Sequence, residues 1–291
     1  MLNQLFQQFR LSTTVFHRSL VCDNWQTDTS GSGHLNFHFV FQGHCYLHLP
    51  DGTVHALHQG DFVLFPTDSA HRLTAMADKE QLDTTSPQFQ AYAVHDAIQG
   101  STGLTCGFFE LNDDRHLVLM QALPECVICR KSDSDLSLTL ALDLLLQEAA
   151  TGRELTVLAR CAELFFVLLL RQLLSSNNEQ LSLMTALQHP RLGPVLTALY
   201  QDPGYAWTVE QMAERACMSR SAFFEHFRLL LGEPPQSYLT RLRLQQAKQL
   251  LQQGMSVMAV GEKAGYQAEE AFAKAFKRQF GYGPGQARKR G

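Results

Sequence analysis

The most constraining feature of this 291-residue chain is a motif that occurs twice near the C-terminus, over Met218–Pro235 and Tyr266–Pro284. Six positions recur 49 residues apart: Phe223, Phe227, Arg228, Leu231, Gly232 and Pro235 return as Phe272, Phe276, Lys277, Phe280, Gly281 and Pro284. A short helical segment and a tight corner, at Cys217 or Gly265, precede each copy. A helix, a small-residue turn and a helix with aromatic residues at i and i+4 are typical of a helix-turn-helix. The sequence therefore predicts two helix-turn-helix units.

Two such units at a short, fixed separation favour one rigid module that binds DNA. A recognition helix lies in the major groove, and successive major grooves on one side of B-DNA are about 34 Å apart. The capping box Thr208-Val-Glu-Gln211 predicts where the first unit begins. Gly254 predicts the end of the longer helix 236–252 between the units.

Charge divides the chain into an acidic and a basic part. Residues 186–291 hold 14 Lys and Arg against 8 Asp and Glu, whereas residues 1–185 hold 10 against 20. The positive excess favours nucleic acid as the partner of the C-terminal part, and the acidic N-terminal part indicates a different task. The length is at the upper limit for a single core, so we expect at least two domains.

The sequence predicts neither a membrane span nor a secretory signal. The longest wholly apolar run, 164–170, is seven residues, whereas a helix needs roughly 18 to cross a bilayer. No charged-then-apolar signal opens the chain. Seven cysteines without regular spacing do not indicate a disulfide framework. We therefore expect a soluble, cytoplasmic protein with no membrane partner.

The pattern of apolar runs predicts an α+β multidomain chain. Residues 1–120 carry short apolar runs about ten residues apart, broken by Gly, Pro, Asp and Asn, which favours an antiparallel sandwich or barrel. Segments 136–148 and 155–174 have helical lengths, 175–180 is a polar linker, and helices are expected from His189 onward. We predict a β-barrel domain over 1–132, a helical linker or dimerisation segment over 133–180, and an all-α domain with both helix-turn-helix units over 181–291.

Residues 189–288 resemble the DNA-binding domain of the AraC-type family of bacterial transcription regulators. The stretch Ala264–Pro284 follows the family pattern of a Gly-aromatic corner, two helix phenylalanines and Phe-Gly-x-x-Pro. The resemblance implies a sequence-specific regulator that binds promoter DNA as a homodimer. RNA polymerase is the further partner that the resemblance suggests.

The resemblance also implies which side chains face DNA. Exposed residues in the first two turns of each recognition helix reach base edges, and basic residues beside them bind phosphates. The residues predicted to contact bases are Ser221, Phe224, Glu225, Gln267, Ala268, Glu270 and Lys274. Those predicted to contact phosphates are Arg220, Arg228, Lys277 and Arg278. Glu270 has an alternative role, because acidic residues in a first turn also complement the helix dipole.

Residues 10–120 resemble the cupin domain that many AraC-type regulators carry as a sensor. The segment Gly60–Pro66 followed by His71 has the spacing of the second cupin motif, and His38 lies in a segment that resembles the first. A cupin enzyme binds its metal through two histidines two residues apart, a glutamate and a third histidine. Here Val40 and Cys45 stand at two of these four positions.

The two remaining cupin histidines define a candidate metal site. We expect His38 and His71 to face the barrel interior, with a thiol of Cys22, Cys45 or Cys106 nearby. Histidine and thiolate ligands favour zinc or another divalent metal, and a thiolate beside a histidine is also reactive. Our first choice of ligands is Cys22, His38 and His71. The alternative is that the histidines are hydrogen-bonded core residues and the cysteines are small buried hydrophobes.

Three functions are compatible with these patterns. The first is a transcription regulator, not an enzyme, switched by a small molecule, metal or oxidant that the barrel senses. The second is a metal-dependent cupin enzyme fused to a DNA-binding domain, against which Val40 and Cys45 argue. The third is an architectural DNA-binding protein whose barrel senses nothing. Segments 136–148 and 155–174 are more apolar than one core-facing stripe requires. In AraC-type regulators such helices commonly pair two subunits; the alternative, compatible with the first, is that they cap the barrel.

Overall fold

The chain consists of two compact units in the computed structural model, which describes residues 11–22, 24–78, 91–96, 98–111, 114–151, 154–176 and 178–289. The barrel unit comprises the described residues within 2–113 and 120–176. The helical unit comprises the described residues within 114–119 and 177–291. Each unit is described by itself below.

The barrel unit is built from two antiparallel sheets, as the spacing of apolar runs predicts. Its strands are β1 Leu11–Val21, β2 Gln26–Thr27, β3 Leu35–Gln42, β4 His44–His48, β5 Val54–His58, β6 Phe62–Phe65, β7 Arg72–Thr74, β8 Ala91–Tyr92, β9 Thr102–Leu111 and β10 Val127–Cys129. One sheet has the strand order β10-β6-β3-β9-β1-β8 and the other β2-β7-β4-β5. An apolar core that includes Val40, Leu47, Leu57 and Leu104 fills the space between them.

The turn between β4 and β5 is at Pro50-Asp51-Gly52. Gly52 has a φ of 88°, a left-handed conformation that glycine adopts without steric cost. The Leu49 N–H donates to the Thr53 carbonyl across the turn at 2.9 Å. The hairpin is therefore closed by a backbone hydrogen bond and a glycine.

Two long helices complete the barrel unit. They are α2 Leu136–Thr151 and α3 Leu155–Ser176, which follow β10. The short helix α1 Asp114–Gln121, between β9 and β10, is divided between the two units. Phe165 and Phe166 of α3 pack on Phe62 and Phe109, with ring centroids 4.4 and 4.6 Å apart, so α3 covers the larger sheet. Among the described residues, none of the helices combines the length and apolar character that a bilayer crossing requires.

The helical unit contains eight helices in the described part of the chain. They are α4 Asn178–Gln188, α5 Leu192–Gln201, α6 Val209–Arg215, α7 Arg220–Leu231, α8 Pro235–Gln252, α9 Val257–Lys263, α10 Glu269–Phe280 and α11 Pro284–Lys289. The predicted polar linker 175–180 is wrong for most of its length, because α3 runs to Ser176 and α4 begins at Asn178. Polar side chains are compatible with exposed helix, and Ser175 Oγ donates to the Arg171 carbonyl within α3.

Two pairs of helices form the predicted helix-turn-helix units. We call α6–α7 HTH-1 and α9–α10 HTH-2, with α8 between them. The capping box is present, since Thr208 Oγ1 accepts from the Gln211 N–H and Gln211 Oε1 accepts from the Thr208 N–H. Gly254, with a φ of 90°, follows the end of α8. Both local predictions are confirmed.

Candidate nucleic-acid interface and barrel cluster

The repeated phenylalanines fix the two recognition helices, α7 and α10. Phe223, Phe227, Phe272 and Phe276 are all fully buried. The centroids of Phe227 and Tyr238 lie 5.5 Å apart in an edge-to-face contact, which holds α7 against α8. These residues therefore orient the recognition helices from inside the unit.

The predicted DNA-facing residues of HTH-1 lie on the surface of α7. Ser221, Glu225 and Arg228 are exposed, and Phe224 retains 38% of its accessible surface. Arg220 forms an ion pair with Glu210 of α6, with Nη1 and Oε1 2.9 Å apart. Since both side chains are largely exposed, this pair is weak and leaves the arginine free to turn to a phosphate.

The predicted residues of HTH-2 lie at both ends of α10. Ala268 is the N-cap residue, with φ −131° and ψ 132°, Gln267 precedes it, and Glu270 is in the first turn. Lys277 and Arg278 are in the last turn, and Lys274 lies between the ends. All six are exposed. Their accessibility meets the requirement for DNA contact, and the assignment of bases and phosphates stays a prediction.

A chain of hydrogen-bonded polar side chains lies in the interior of the barrel unit. His38 lies in β3, directly opposite Cys106 in β9, and the two residues are 1% and 2% exposed. His71, 4% exposed, precedes β7. The two histidine Nε2 atoms are 2.8 Å apart, and Thr29 Oγ1 lies 3.2 Å from the first and 3.1 Å from the second.

The hydrogen bonds of this cluster have one direction. His71 Nδ1 lies 2.7 Å from the Ser69 carbonyl oxygen, which only accepts, so this nitrogen carries a proton. A neutral His71 then accepts at Nε2 from the His38 Nε2–H. His38 Nδ1 in turn accepts from the Cys106 thiol at 3.0 Å. A proton added to either ring would break one of these bonds.

Burial favours the neutral forms of the three titratable groups in this hydrogen-bonded cluster, which are His38, His71 and Cys106. It lowers the pKa of His38, and the neighbouring His71 lowers it further. It also lowers the pKa of His71, although the hydrogen bond to Ser69 opposes the change. Burial raises the pKa of the Cys106 thiol. Because the thiolate is the reactive form of cysteine, the Cys106 thiol is protected from chemistry in this state.

The predicted metal set Cys22, His38 and His71 is not assembled. Within the described ranges, no three His, Cys, Asp or Glu side chains are grouped to hold a metal ion. The thiol beside His38 belongs to Cys106, because strand register pairs these two residues directly. Its Sγ lies at His38 Nδ1, whereas His71 lies at Nε2 on the other side of the ring. A metal held by both Nε2 atoms could not also bind this thiol, so the residues do not fit the expected site.

Sequence reasoning missed Thr29, which contacts both histidines from the loop after β2. It also named Cys106 only as one of three thiols. Neither residue lies in a cupin motif, and no sequence signal identifies Thr29. A register argument for β3 and β9 would have selected Cys106.

Comparisons with known proteins agree with both halves of this architecture. A family model described as a cupin matches residues 1–175, and one described as a helix-turn-helix domain matches residues 212–290. Over 287 residues the chain is 33% identical to the RCS-specific HTH-type transcriptional activator RclR of Escherichia coli (strain K12), covering 95% of this chain and 93% of that protein. The chain belongs to the AraC-type transcription regulators.

Two further comparisons accompany this assignment. The AraC-type regulator is 30% identical over 298 residues to the HTH-type transcriptional regulator AlkR of Acinetobacter baylyi (strain ATCC 33305 / BD413 / ADP1), covering 97% of each chain. The DNA-binding domain of AdpA, solved in complex with a target DNA, is 33% identical, with a TM-score of 0.33, and the match covers 34% of this chain and 89% of that one. The resemblance to an AraC-type regulator with an N-terminal cupin domain is thus confirmed over nearly the whole chain.

Proposed function

We propose that this regulator senses its signal in the barrel unit and that the cluster of Thr29, His38, His71 and Cys106 is where the signal acts. The observation that carries the proposal is the one-directional hydrogen-bond chain in the buried interior of the barrel unit. Buried polar networks are sensitive to any change in one member, since each unsatisfied buried group costs about 1–3 kcal/mol. A signal that breaks one bond therefore changes the whole cluster.

Among the three signal classes, a small polar molecule is favoured over a metal or an oxidant. Supporting this choice, the expected metal ligands are not grouped, and the pKa of the Cys106 thiol is raised by burial. Cys22 is half-buried, as are Cys126 and Cys161 of the same unit, and Cys22 is the thiol that we select to test oxidant chemistry. Both other classes therefore remain outcomes of the test. RclR is named as RCS-specific, which concerns that protein and gives the oxidant arm of the test its motivation.

The test compares His38→Gln and His71→Gln with His44→Gln, an exposed histidine of the same unit that serves as the control. A reporter gene behind a promoter that the wild-type chain binds is measured with metabolite extracts, with oxidant and after metal chelation. The two buried variants should lose the response while keeping DNA affinity, and the control should respond normally. Metal content is measured in parallel by mass spectrometry. If the chain contains no metal and the His38, His71 and Cys22→Ser variants all respond like the wild type, the proposal is wrong.

The alternative of a metal-dependent cupin enzyme fused to a DNA-binding domain receives less support. The relatives are transcription regulators. Val40 and Cys45, at two of the four cupin ligand positions, are fully buried in the apolar core. The polar groups around His38 therefore form hydrogen bonds with one another.

We propose further that the regulator pairs with a second copy of itself through α2. Leu136, Leu140 and Leu144, spaced four residues apart, are 76%, 61% and 39% exposed. An exposed leucine stripe on a helix is stable in water only at a cost that burial against a partner removes. Leu140→Glu should shift sedimentation velocity from dimer to monomer, whereas Val54→Glu, an exposed valine on the barrel, should not. A monomeric wild type would contradict the proposal. RNA polymerase as a partner stays a prediction.

A further inference from the structure

An arginine on the connecting helix α8 contacts the segment that leads into HTH-1. Arg243 Nε donates to the Pro203 carbonyl at 2.6 Å, and its Nη2 donates to the Tyr205 carbonyl at 2.7 Å. These bonds join residues 40 and 38 positions apart in the chain. Two carbonyls held by two nitrogens of one planar guanidinium fix direction as well as distance.

The same segment packs against the corner of HTH-2. A Cβ at Gly204 would collide with the Lys263 carbonyl oxygen at the end of α9. A Cβ at Gly265 would lie 2.7 Å from the Gly204 carbonyl oxygen and 3.3 Å from Arg243 Cζ. The loop before HTH-1, the corner of HTH-2 and the Arg243 side chain therefore meet in one close contact. We call Pro203–Tyr205, Gly265 and Arg243 the clamp.

The loop of the clamp is itself well held. Asp202 Oδ1 accepts from the Tyr205 N–H at 3.1 Å, and Trp207 Nε1–H donates to the Asp202 carbonyl at 2.8 Å. Burial lowers the pKa of Arg243, and Tyr266 and Asp202 oppose that change. The guanidinium is thus half-buried among groups that favour its charge.

The clamp closes a ring of contacts around the module. HTH-1 packs on α8 through Phe227 and Tyr238, and HTH-2 packs on α8 through a shared core that contains Leu244, Leu251 and Phe272. The clamp adds a contact between the loop that leads into HTH-1 and the corner of HTH-2. With α8 as their only connection, HTH-1 and HTH-2 could each rotate about their own contact with this helix. The clamp is a second contact, and it restricts this rotation.

We infer that Arg243 is a positioning residue for DNA recognition, which holds HTH-1 and HTH-2 at one relative orientation without touching DNA itself. Once one recognition helix is in its groove, the second binds from an effective concentration that the linkage sets. A variant in which HTH-1 and HTH-2 are not held at one orientation should therefore keep its affinity for a single major groove. It should lose much of the additional affinity that binding in the second groove provides.

The experiment uses the full chain and a duplex of about 30 base pairs, long enough for successive major grooves, selected from a random pool by the wild type. Affinity for this duplex is compared with affinity for duplexes in which one of the two segments that HTH-1 and HTH-2 contact has a random sequence. The segments are located by footprinting with the wild type. The variants are Arg243→Ala, Arg243→Lys and Gly204→Ala. Gln245→Ala, an exposed position on the same helix, is the control. Melting curves establish that each variant is folded.

The wild type and the control should gain strongly from the second segment. Arg243→Ala should reduce that gain by about tenfold with one-segment affinity unchanged. Arg243→Lys should behave similarly, because one ammonium keeps the charge but cannot reproduce the fork to two carbonyls. Gly204→Ala should show the same loss although the arginine is retained. Spin labels on Leu229 and Gln279, placed through a non-natural amino acid, should give a narrow distance distribution in the wild type and a broad one in Arg243→Ala.

Four results would overturn the inference. The first is a full two-segment gain in Arg243→Ala, and the second is equal losses on both duplexes, which would make Arg243 a phosphate contact. The third is complete rescue by Arg243→Lys, which would reduce its role to charge. A wild type that binds DNA but gains nothing from the second segment would also overturn it, and would leave the assignment as a DNA-binding regulator intact.

Discussion

In HTH-1 the corner before the recognition helix is Cys217, with a φ of 50°, whereas the equivalent corner of HTH-2 is Gly265, with a φ of 78°. Both corners need a left-handed backbone, yet only one uses glycine. The difference follows from the surroundings, because a Cβ at Gly265 would lie 2.7 Å from the Gly204 carbonyl oxygen. A repeated motif therefore keeps its backbone conformation while each copy adapts to its own neighbours.

The caps and interiors of the two units show the same division. The recognition helices end alike, at Gly232 and Gly281, with φ values of 79° and 80°. They begin differently, since Ser219 caps α7 with a side-chain bond to the Ala222 N–H and Ala268 gives α10 no such bond. The shared features set the fold of each unit, and the differing ones set its surface. Four predictions test this division.

The largest effect should come from the shared interior. Phe223→Ala and Phe272→Ala should each lower the free energy of unfolding by about 3–5 kcal/mol, since both rings are fully buried. Urea unfolding followed by circular dichroism measures both, with Phe224→Ala, which removes a partly exposed ring, as the control. Losses that differ severalfold between the two variants would show that the interiors are not equivalent.

The corners should separate the units. Gly265→Ala should cost roughly 2–5 kcal/mol, because it adds a Cβ at positive φ and 2.7 Å from the Gly204 oxygen. Cys217→Ala should be nearly neutral, because the cysteine already carries a Cβ there. The two melting temperatures report the difference. Equally small decreases in melting temperature for both variants would mean that the clamp accommodates a Cβ at residue 265 without destabilising the fold.

The recognition surfaces should separate bases from phosphates. Gln267→Ala should change the preferred base at one position, at a cost of about 1–3 kcal/mol. Arg228→Ala should weaken binding to all sequences nearly equally and reduce the salt slope by about one. Selection from a random duplex pool, followed by salt titration, measures both. Sequence-independent losses for both variants would place the recognition face elsewhere.

The caps should give the smallest effect, with opposite signs in the two units. Ser219→Ala should destabilise by about 1 kcal/mol, and Ala268→Ser should stabilise by up to a similar amount. The motivation is the Ser219 Oγ bond to the Ala222 N–H at 3.3 Å, which α10 lacks. Thermal unfolding of both variants checks the signs. A destabilising Ala268→Ser would mean that the start of α10 has another constraint.

The helical unit could be predicted from the sequence in more detail than the barrel unit. Helix caps and periodic phenylalanines are local signals, so the sequence predicts correctly the helix ends at Thr208 and Gly254 and the two helix-turn-helix units. The barrel cluster depends on strand register, which pairs His38 with Cys106 and cannot be read from cupin spacing alone. The Arg243 bonds to Pro203 and Tyr205 join distant segments without any periodic pattern, so only the folded chain reveals them.

We expect the basic helical unit to bind DNA by itself. The most direct measurement is the affinity of a fragment of residues 177–291 for a duplex selected by the full chain, titrated with salt. Four predicted phosphate contacts give an expected slope of log affinity against log salt of roughly −3 to −4. We expect tight binding at low salt with a slope in this range. A fragment that is folded by circular dichroism yet does not bind at low salt would contradict it.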